Sequence, residues 1–254
     1  MMKKQSIILQ AFLIISAFLA SCGNNADNKE NNSKDSTALA KDSVNGMDGQ
    51  TSKLGKDPLE FCPAGYAVIE KILGDLNKDG IDDCILMIKE KNKSNFEKNS
   101  EGTMVDRNRR GIVILLNKNG VYEQAVKNYS CFSSENEDGG VYVAPELSVE
   151  IKKNNLFVGY SHGRYGSWTY MFRNQNSDFE MIGYDRSDSD GPRINSETSI
   201  NFLTKKKQIK TNTNENAQGG DEVFEETWEN IRLSKLIKLS EIKDFDELDM
   251  SYNQ

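Results

Sequence analysis

Ile112-Val113-Ile114-Leu115-Leu116-Asn117-Lys118-Asn119-Gly120-Val121-Tyr122-Glu123-Gln124-Ala125-Val126 sets two apolar runs around an Asn-Gly pair. Asn and Gly both tolerate positive φ, which tight hairpin turns demand, so the stretch predicts two antiparallel strands joined at Asn119-Gly120. The same pattern recurs downstream. Leu147, Val149 and Ile151 alternate with polar residues, Asn154-Asn155 turns the chain, and Leu156, Val158 and Tyr160 resume the period of two. Trp168, Tyr170 and Phe172 share one face of a further strand, residues 174–177 turn it into 179–184, and Ile200 with Phe202 marks another. Helical patterning is confined to 224–231 and 240–248. The expected fold is mainly β, an antiparallel meander or sandwich-like arrangement with one or two short helices, and α+β is the alternative. No segment repeats at a fixed period.

Upstream of residue 57 the composition changes. Residues 23–56 hold no aromatic side chain and are dominated by Asn, Asp, Lys, Ser and Gly, too little apolar surface to order a chain. They read as a disordered tether whose ends lie on the order of 30 Å apart. Residues 57–254 then form the expected single domain, long enough for one well-buried core and short for two.

The first residues set the address. Lys3 and Lys4 precede an apolar run over 7–19, shorter than the roughly 20 residues a membrane-crossing helix needs, and Leu19-Ala20-Ser21-Cys22 closes it. These four residues resemble the lipobox of bacterial lipoprotein signal peptides. The resemblance implies cleavage after residue 21 and a lipidated Cys22, palmitate and its like holding the mature chain to the membrane without crossing it. Gly23, in place of the aspartate associated with inner-membrane retention, implies the outer membrane in a Gram-negative envelope. Removing Lys3 and Lys4 leaves 30 basic residues against 39 acidic ones, a mature charge of −9, which argues against nucleic acid and anionic lipid surfaces as main partners. Lys205-Lys206-Lys207 is expected to be a solvated turn.

Asp75-Leu76-Asn77-Lys78-Asp79-Gly80-Ile81-Asp82-Asp83 lies between two strand-like segments. Calcium takes about six to eight oxygen ligands, and alternate positions of a tight loop can aim several at one point. Asp75, Asn77, Asp79 and Asp83 would give side-chain oxygens and Ile81 its carbonyl. An EF-hand requires a glutamate at the loop's last position, where this chain has Leu86. The Asp-x-Asn-x-Asp-Gly-x-x-Asp spacing instead resembles the calcium loops of FG-GAP and VCBS-type β-repeats, which implies a metal-bound β-hairpin, present here in one copy. The competing expectation is an acidic turn, since turns favour the same residues. Residues 135–140 and 185–191 are acidic without that register and are expected to be solvated turns.

Tyr160, His162, Arg164, Tyr165 and Trp168 fall within nine residues, a mix suited to stacking on a sugar or gripping a charged group. Core aromatics beside a glycine turn are the alternative. His162 is the sole histidine, which does not assemble a zinc ligand set. No pair of carboxylates stands out for glycan hydrolysis, and no glycine-rich phosphate loop follows a strand. Beyond Cys22 the cysteines are Cys62, Cys84 and Cys131, so at least one thiol stays free. A hairpin would place Cys84 opposite Leu73 or its neighbour, leaving a Cys62–Cys131 bridge open. Together these features lead to a lipid-anchored envelope protein with a structural calcium loop and a non-catalytic binding module for a glycan or protein. An envelope hydrolase acting on a glycan or peptide is the alternative.

Overall fold

The computed structural model describes residues 53–137 and 144–252. The expectations for residues 1–21, for Cys22 and for the tether up to residue 52 lie outside the described residues. The chain runs through β1 (Leu54–Gly55), β2 (Tyr66–Gly74), β3 (Asp83–Glu90), β4 (Phe96–Lys98), β5 (Met104–Asp106), β6 (Arg110–Lys118) and β7 (Val121–Phe132). Five of these make one sheet in the order β1-β7-β6-β3-β2, and β4 with β5 forms a small separate ribbon. Then come β8 (Glu146–Lys152), β9 (Asn155–Ser161), β10 (Gly166–Gln175), β11 (Asp178–Asp190), β12 (Arg193–Asn201), β13 (Lys206–Asn212) and β14 (Phe224–Asn230), a seven-stranded meander paired strictly in chain order. Every pairing is antiparallel, so the mainly β expectation holds. The hairpin that opens the sequence reading is there: Lys118 pairs with Val121 across Asn119 at φ 55° and Gly120 at φ 85°.

The two sheets share one core. Ile85, Met87, Ile112, Ile114 and Val126 from the first meet Val149, Leu156, Val158, Phe172 and Met181 from the second. Burying each such side chain contributes about 1.5–3 kcal/mol before entropy is subtracted. β3 is apolar without alternation because both of its faces are covered. Cys84, Leu86 and Ile88 point away from the shared core, and with Val113 and Leu115 they are buried under Phe61. Phe61 sits on a 3-10 turn, Pro58–Phe61, capped by the Asp57 carboxylate accepting from the Leu59 amide at 2.9 Å. Leu54 and Gly55 pair with Glu123 and Tyr122, so paired backbone begins inside the span expected to be tether.

Both helix expectations are corrected. Residues 224–230 form β14, in register with β13 from Lys206↔Asn230 to Asn212↔Phe224, so sheet pairing overrides the helical preference of the three glutamates. Residues 240–248 contribute only part of a 3-10 turn, Leu239–Glu241. Backbone groups here are committed elsewhere: the Phe245 amide donates to the Cys131 carbonyl at 3.0 Å, and Asn128 Nδ2 donates to the carbonyls of Leu239 (2.9 Å) and Ile242 (2.6 Å). Leu239, Ile242 and Phe245 each reach the core. The helical content of the described residues is therefore short 3-10 turns.

Candidate functional site

Antiparallel register lines up side chains across the seven-stranded sheet in rows, with neighbours about 4.5–5.5 Å apart. The row Ile151, Leu156, Phe172, Met181 is apolar and deep in the core. The next, Val149, Val158, Tyr170, Tyr184, Ile200, Lys207, Glu229, is mixed. Then follows Leu147, Tyr160, Trp168, Arg186, Thr198, Ile209, Thr227, and beyond it the polar row Gly166, Asp188, Ser196, Thr211, Glu225. The face that is core at one end becomes the wall of a half-open cleft at the other. The cleft has a volume of about 830 Å³, and Ser133, Glu137, Ala144, Pro145 and residues of the 246–251 segment also line it.

Four of the five predicted binding residues, Tyr160, His162, Tyr165 and Trp168, line this cleft. Tyr160 and Trp168 stack with ring centroids 5.4 Å apart and planes 14° apart, and His162 lies 5.3 Å from Tyr165. Arg164 does not line it: its side chain is exposed, 5.8 Å from the outer Tyr165 ring, and its carbonyl accepts from the Gly191 amide at 3.0 Å. The turn that carries them, Gly163–Tyr165, depends on Gly166 at φ +115°, where a Cβ would lie 2.0 Å from the Ser187 carbonyl oxygen. The alternative of core aromatics is met in part, since Tyr160 is 4% exposed while Trp168 and Tyr165 are half-buried.

Sequence reasoning missed the other half of the wall: Tyr170, Tyr184, Arg186, Asp188, Lys207, Asp246 and Asp249. The signal was available, because Tyr184, Arg186 and Asp188 continue a period of two. Residues 185–190 belong to β11 and are not the solvated turn expected of them. Of the 135–140 stretch, residues 135–137 are described and depart from expectation, since Glu135 pairs with Lys89 at 2.5 Å and Glu137 accepts from Ser134 Oγ at 2.6 Å. Nor is Lys207 solvated: it is 7% exposed, and its ammonium donates to the Ser251 carbonyl at 2.6 Å. Gly159-Tyr160-Ser161-His162-Gly163 has the Gly-x-Ser-x-Gly spacing of a nucleophile elbow, which sequence reasoning missed. An elbow needs a strand turning into a helix, whereas Ser161 ends β9 and a 3-10 turn leads into β10.

Electrostatics divide the cleft into a buried aromatic floor and a charged rim. Burial pushes the Tyr160 phenol far above the usual tyrosine range, Asp246 adds to the shift and Arg110 opposes it. Its hydroxyl is buried and has no hydrogen-bond partner among the described residues. Burial likewise raises Tyr170, whose hydroxyl donates to the Phe245 carbonyl at 3.4 Å. On the rim, Arg186 grips Asp188 with Nε and Nη2 at 2.6–3.0 Å, which holds the guanidinium charged.

The predicted calcium loop is a set of nested side-chain turns. Asp75 accepts from the amides of Asn77, Lys78 and Gly80 (3.2, 2.6 and 3.1 Å), Asn77 from Asp79 (2.9 Å), and Asp79 from Ile81 (2.8 Å). Asp83 is turned inward and fully buried, accepting from Leu76 at 2.7 Å and Asn117 at 2.8 Å. Burial raises its pKa, the two amides oppose the shift, and the negative charges of Asp79 and Asp75 add to it. An all-oxygen donor set under such a field suits a hard divalent cation, and each carboxylate retains lone pairs beyond those its amides use. Among the described residues no three His, Cys, Asp or Glu side chains already converge as a metal cluster. Cys62, Cys84 and Cys131 are all free thiols, Cys84 sits opposite Leu73, and Cys62 and Cys131 belong to different clusters.

The fold and the cleft define a class: a two-sheet antiparallel β domain with a ligand-sized, aromatic-floored cleft at one end. Comparison with protein-family models, curated proteins and solved structures finds no match to this chain, so the particular reading rests on the chemistry of its own residues.

Proposed function

We propose that the chain is a lipid-anchored cell-envelope protein, outer-membrane in a Gram-negative host, whose β domain holds a glycan or protein ligand in the Trp168 cleft without turning it over. Cys22 carries the anchor, residues 23–52 supply reach, and a calcium ion on Asp75, Asn77, Asp79 and Ile81, with Asp83 behind them, stiffens the loop between β2 and β3. The observation that carries the binding reading is the aromatic-floored cleft: an open, half-apolar cavity with a few convergent polar groups is what a ligand site requires. The hydrolase alternative draws support from the rim carboxylates Asp188, Asp246 and Asp249, since glycoside cleavage uses two.

Tryptophan fluorescence tests the reading. With Trp228→Phe leaving Trp168 as the single reporter, titration with separated glycan and protein fractions of an envelope extract should shift the emission, and the bound molecule should be recovered unaltered. Cleaved product would favour the hydrolase, and an emission that no fraction moves would refute the site. Metabolic labelling with palmitate, lost in Cys22→Ser, tests the anchor.

A further inference from the structure

We infer that the free edge of β14 takes up an extended, lysine- or arginine-rich peptide segment of another protein as one more strand of the larger sheet. No residue of β14 lines the Trp168 cleft, so the inference stands apart from the binding reading above. Among the described residues β14 pairs only with β13, over seven residues without a bulge, from Lys206↔Asn230 to Asn212↔Phe224. The Thr213 amide donates to the Val223 carbonyl at 2.7 Å and the Ile231 amide to the Lys205 carbonyl at 3.0 Å, which fixes the phase of the ladder. Odd-numbered residues of β14 therefore turn their backbone groups to β13, and Phe224, Glu226, Trp228 and Asn230 point their N–H and C=O groups outward. Such a row is a template for a further strand. The other edges of the two sheets differ. β1 is two residues long, β2 is interrupted by a bulge between Val68 and Glu70, and β8 abuts β2, where a Cβ on Gly74 would lie 3.0 Å from Ile151.

Charge and surface chemistry name the occupant. Residues 213–230 hold six acidic side chains and no basic one, and Glu225, Glu226 and Glu229 are on β14 itself. Lys207 reaches Glu229 at 3.8 Å, but Lys210, opposite Glu226, turns to Glu197 at 3.4 Å, so Glu225 and Glu226 form no ion pair among the described residues. Trp228, 62% exposed, shares the outer face with Glu226, and an indole face in water suits a guanidinium or ammonium laid on it. A second copy of β14 is disfavoured, because antiparallel pairing about Thr227 sets Glu225 opposite Glu229, like charge on like. Residues 23–52 of this chain do not complement the edge either, with five acidic residues against three basic ones. The glutamates that keep identical chains apart leave the edge open to a strand of opposite charge, held by main-chain hydrogen bonds.

The test is a labelled octapeptide of alternating lysine and threonine, added to the full chain and read by fluorescence anisotropy, with glutamate–threonine and lysine–proline octapeptides as controls. The lysine–threonine peptide should bind and both controls should bind about tenfold more weakly or worse, since one reverses the charge and the other halves the amides a ladder needs. Hydrogen exchange at the amides of Phe224, Glu226 and Trp228 should slow in the complex. Glu226→Pro should weaken binding about tenfold, because it removes an outward N–H and no bond to β13, and Glu226→Gln, which keeps that N–H, should weaken it less. If Glu226→Pro fails to fold, Trp228→Ala at its exposed position carries the test, with a loss of about tenfold expected. Equal binding of the lysine–threonine and lysine–proline peptides, unchanged exchange at the three amides, or wild-type binding by the folded variants would overturn the assignment. Dimerisation of the chain that Glu226→Pro abolishes would give the edge to a second copy and overturn it as well.

Discussion

Asp83→Asn separates the two roles that the acidic loop can play. The native carboxylate is fully buried and receives the Leu76 amide on one oxygen and the Asn117 amide on the other, tying the loop to β6. Asparagine keeps one acceptor oxygen and turns an NH₂ toward the second amide, so one charge-assisted hydrogen bond, about 1.5–3 kcal/mol, is lost and a buried N–H is left unpaired. Against this, the variant removes the buried charge that Asp79 and Asp75 oppose. A net cost of about 2 kcal/mol in EDTA at neutral pH follows, read by urea unfolding.

The pH dependence has a definite sign. Asp83 has a folded pKa above the unfolded 3.8, so as pH rises the unfolded chain releases its proton first. The wild type therefore loses stability from that value up through the folded pKa, and the non-titrating variant does not. The gap between them should be widest near pH 4 and narrow toward neutrality. Asp79→Ala, at an exposed position, should cost stability only in millimolar calcium, with magnesium as control. An Asp83→Asn variant within about 0.5 kcal/mol of wild type in EDTA would refute the clamp, and equal Asp79→Ala shifts with and without calcium would remove the ion.

Two further outcomes follow from the core. Phe245 stacks on Phe132 at 4.9 Å and meets Tyr170 edge-on at 5.1 Å, so Phe245→Ala should cost about 3–5 kcal/mol by denaturant unfolding; a loss under 1 kcal/mol would show that the C-terminal segment does not hold the sheets. Iodoacetamide should alkylate half-buried Cys62 in the native protein, whereas Cys84, pushed up to about 11 by burial, and Cys131, raised further, should react only at the unfolding rate; equal labelling of all three would contradict the two clusters.

The strands were legible because their information is local. Asn119-Gly120 fixes its own hairpin, and the alternation at Leu147, Val149 and Ile151 fixes which face of β8 is inside. The partition into two sheets was less so, since the double burial of 84–88 depends on Phe61 arriving from outside the hairpin. The late helices were misread because glutamate-rich 224–230 is decided by pairing with β13, and 240–248 by hydrogen bonds to Asn128 and Cys131 more than a hundred residues away. For the site, the cluster Tyr160, His162, Tyr165, Trp168 could be found because one turn brings it together. Asp246 and Asp249 could not, since only the crossing of the C-terminal segment sets them beside Trp168.

That crossing also explains why a cleft exists at all. A five-stranded sheet faces a seven-stranded one, so part of the wider sheet's inner face must be covered by something else or left open. The C-terminal segment covers part: Phe245 lies over Tyr170 and Phe172, and its backbone carbonyl takes the Tyr170 hydroxyl. One row further out the Tyr160 ring is 6.5 Å from Phe245, and among the described residues its hydroxyl meets no such carbonyl. The chain then changes from Phe245 to Asp246, Asp249 and Ser251, replacing apolar cover with carboxylates and a carbonyl that holds Lys207. Of two adjacent tyrosines on one sheet face, Tyr170 thus has a hydrogen-bond partner and Tyr160 has none among the described residues. The apolar cover stops there, and the open part of that face, floored by Tyr160 and Trp168, is what is left for a ligand.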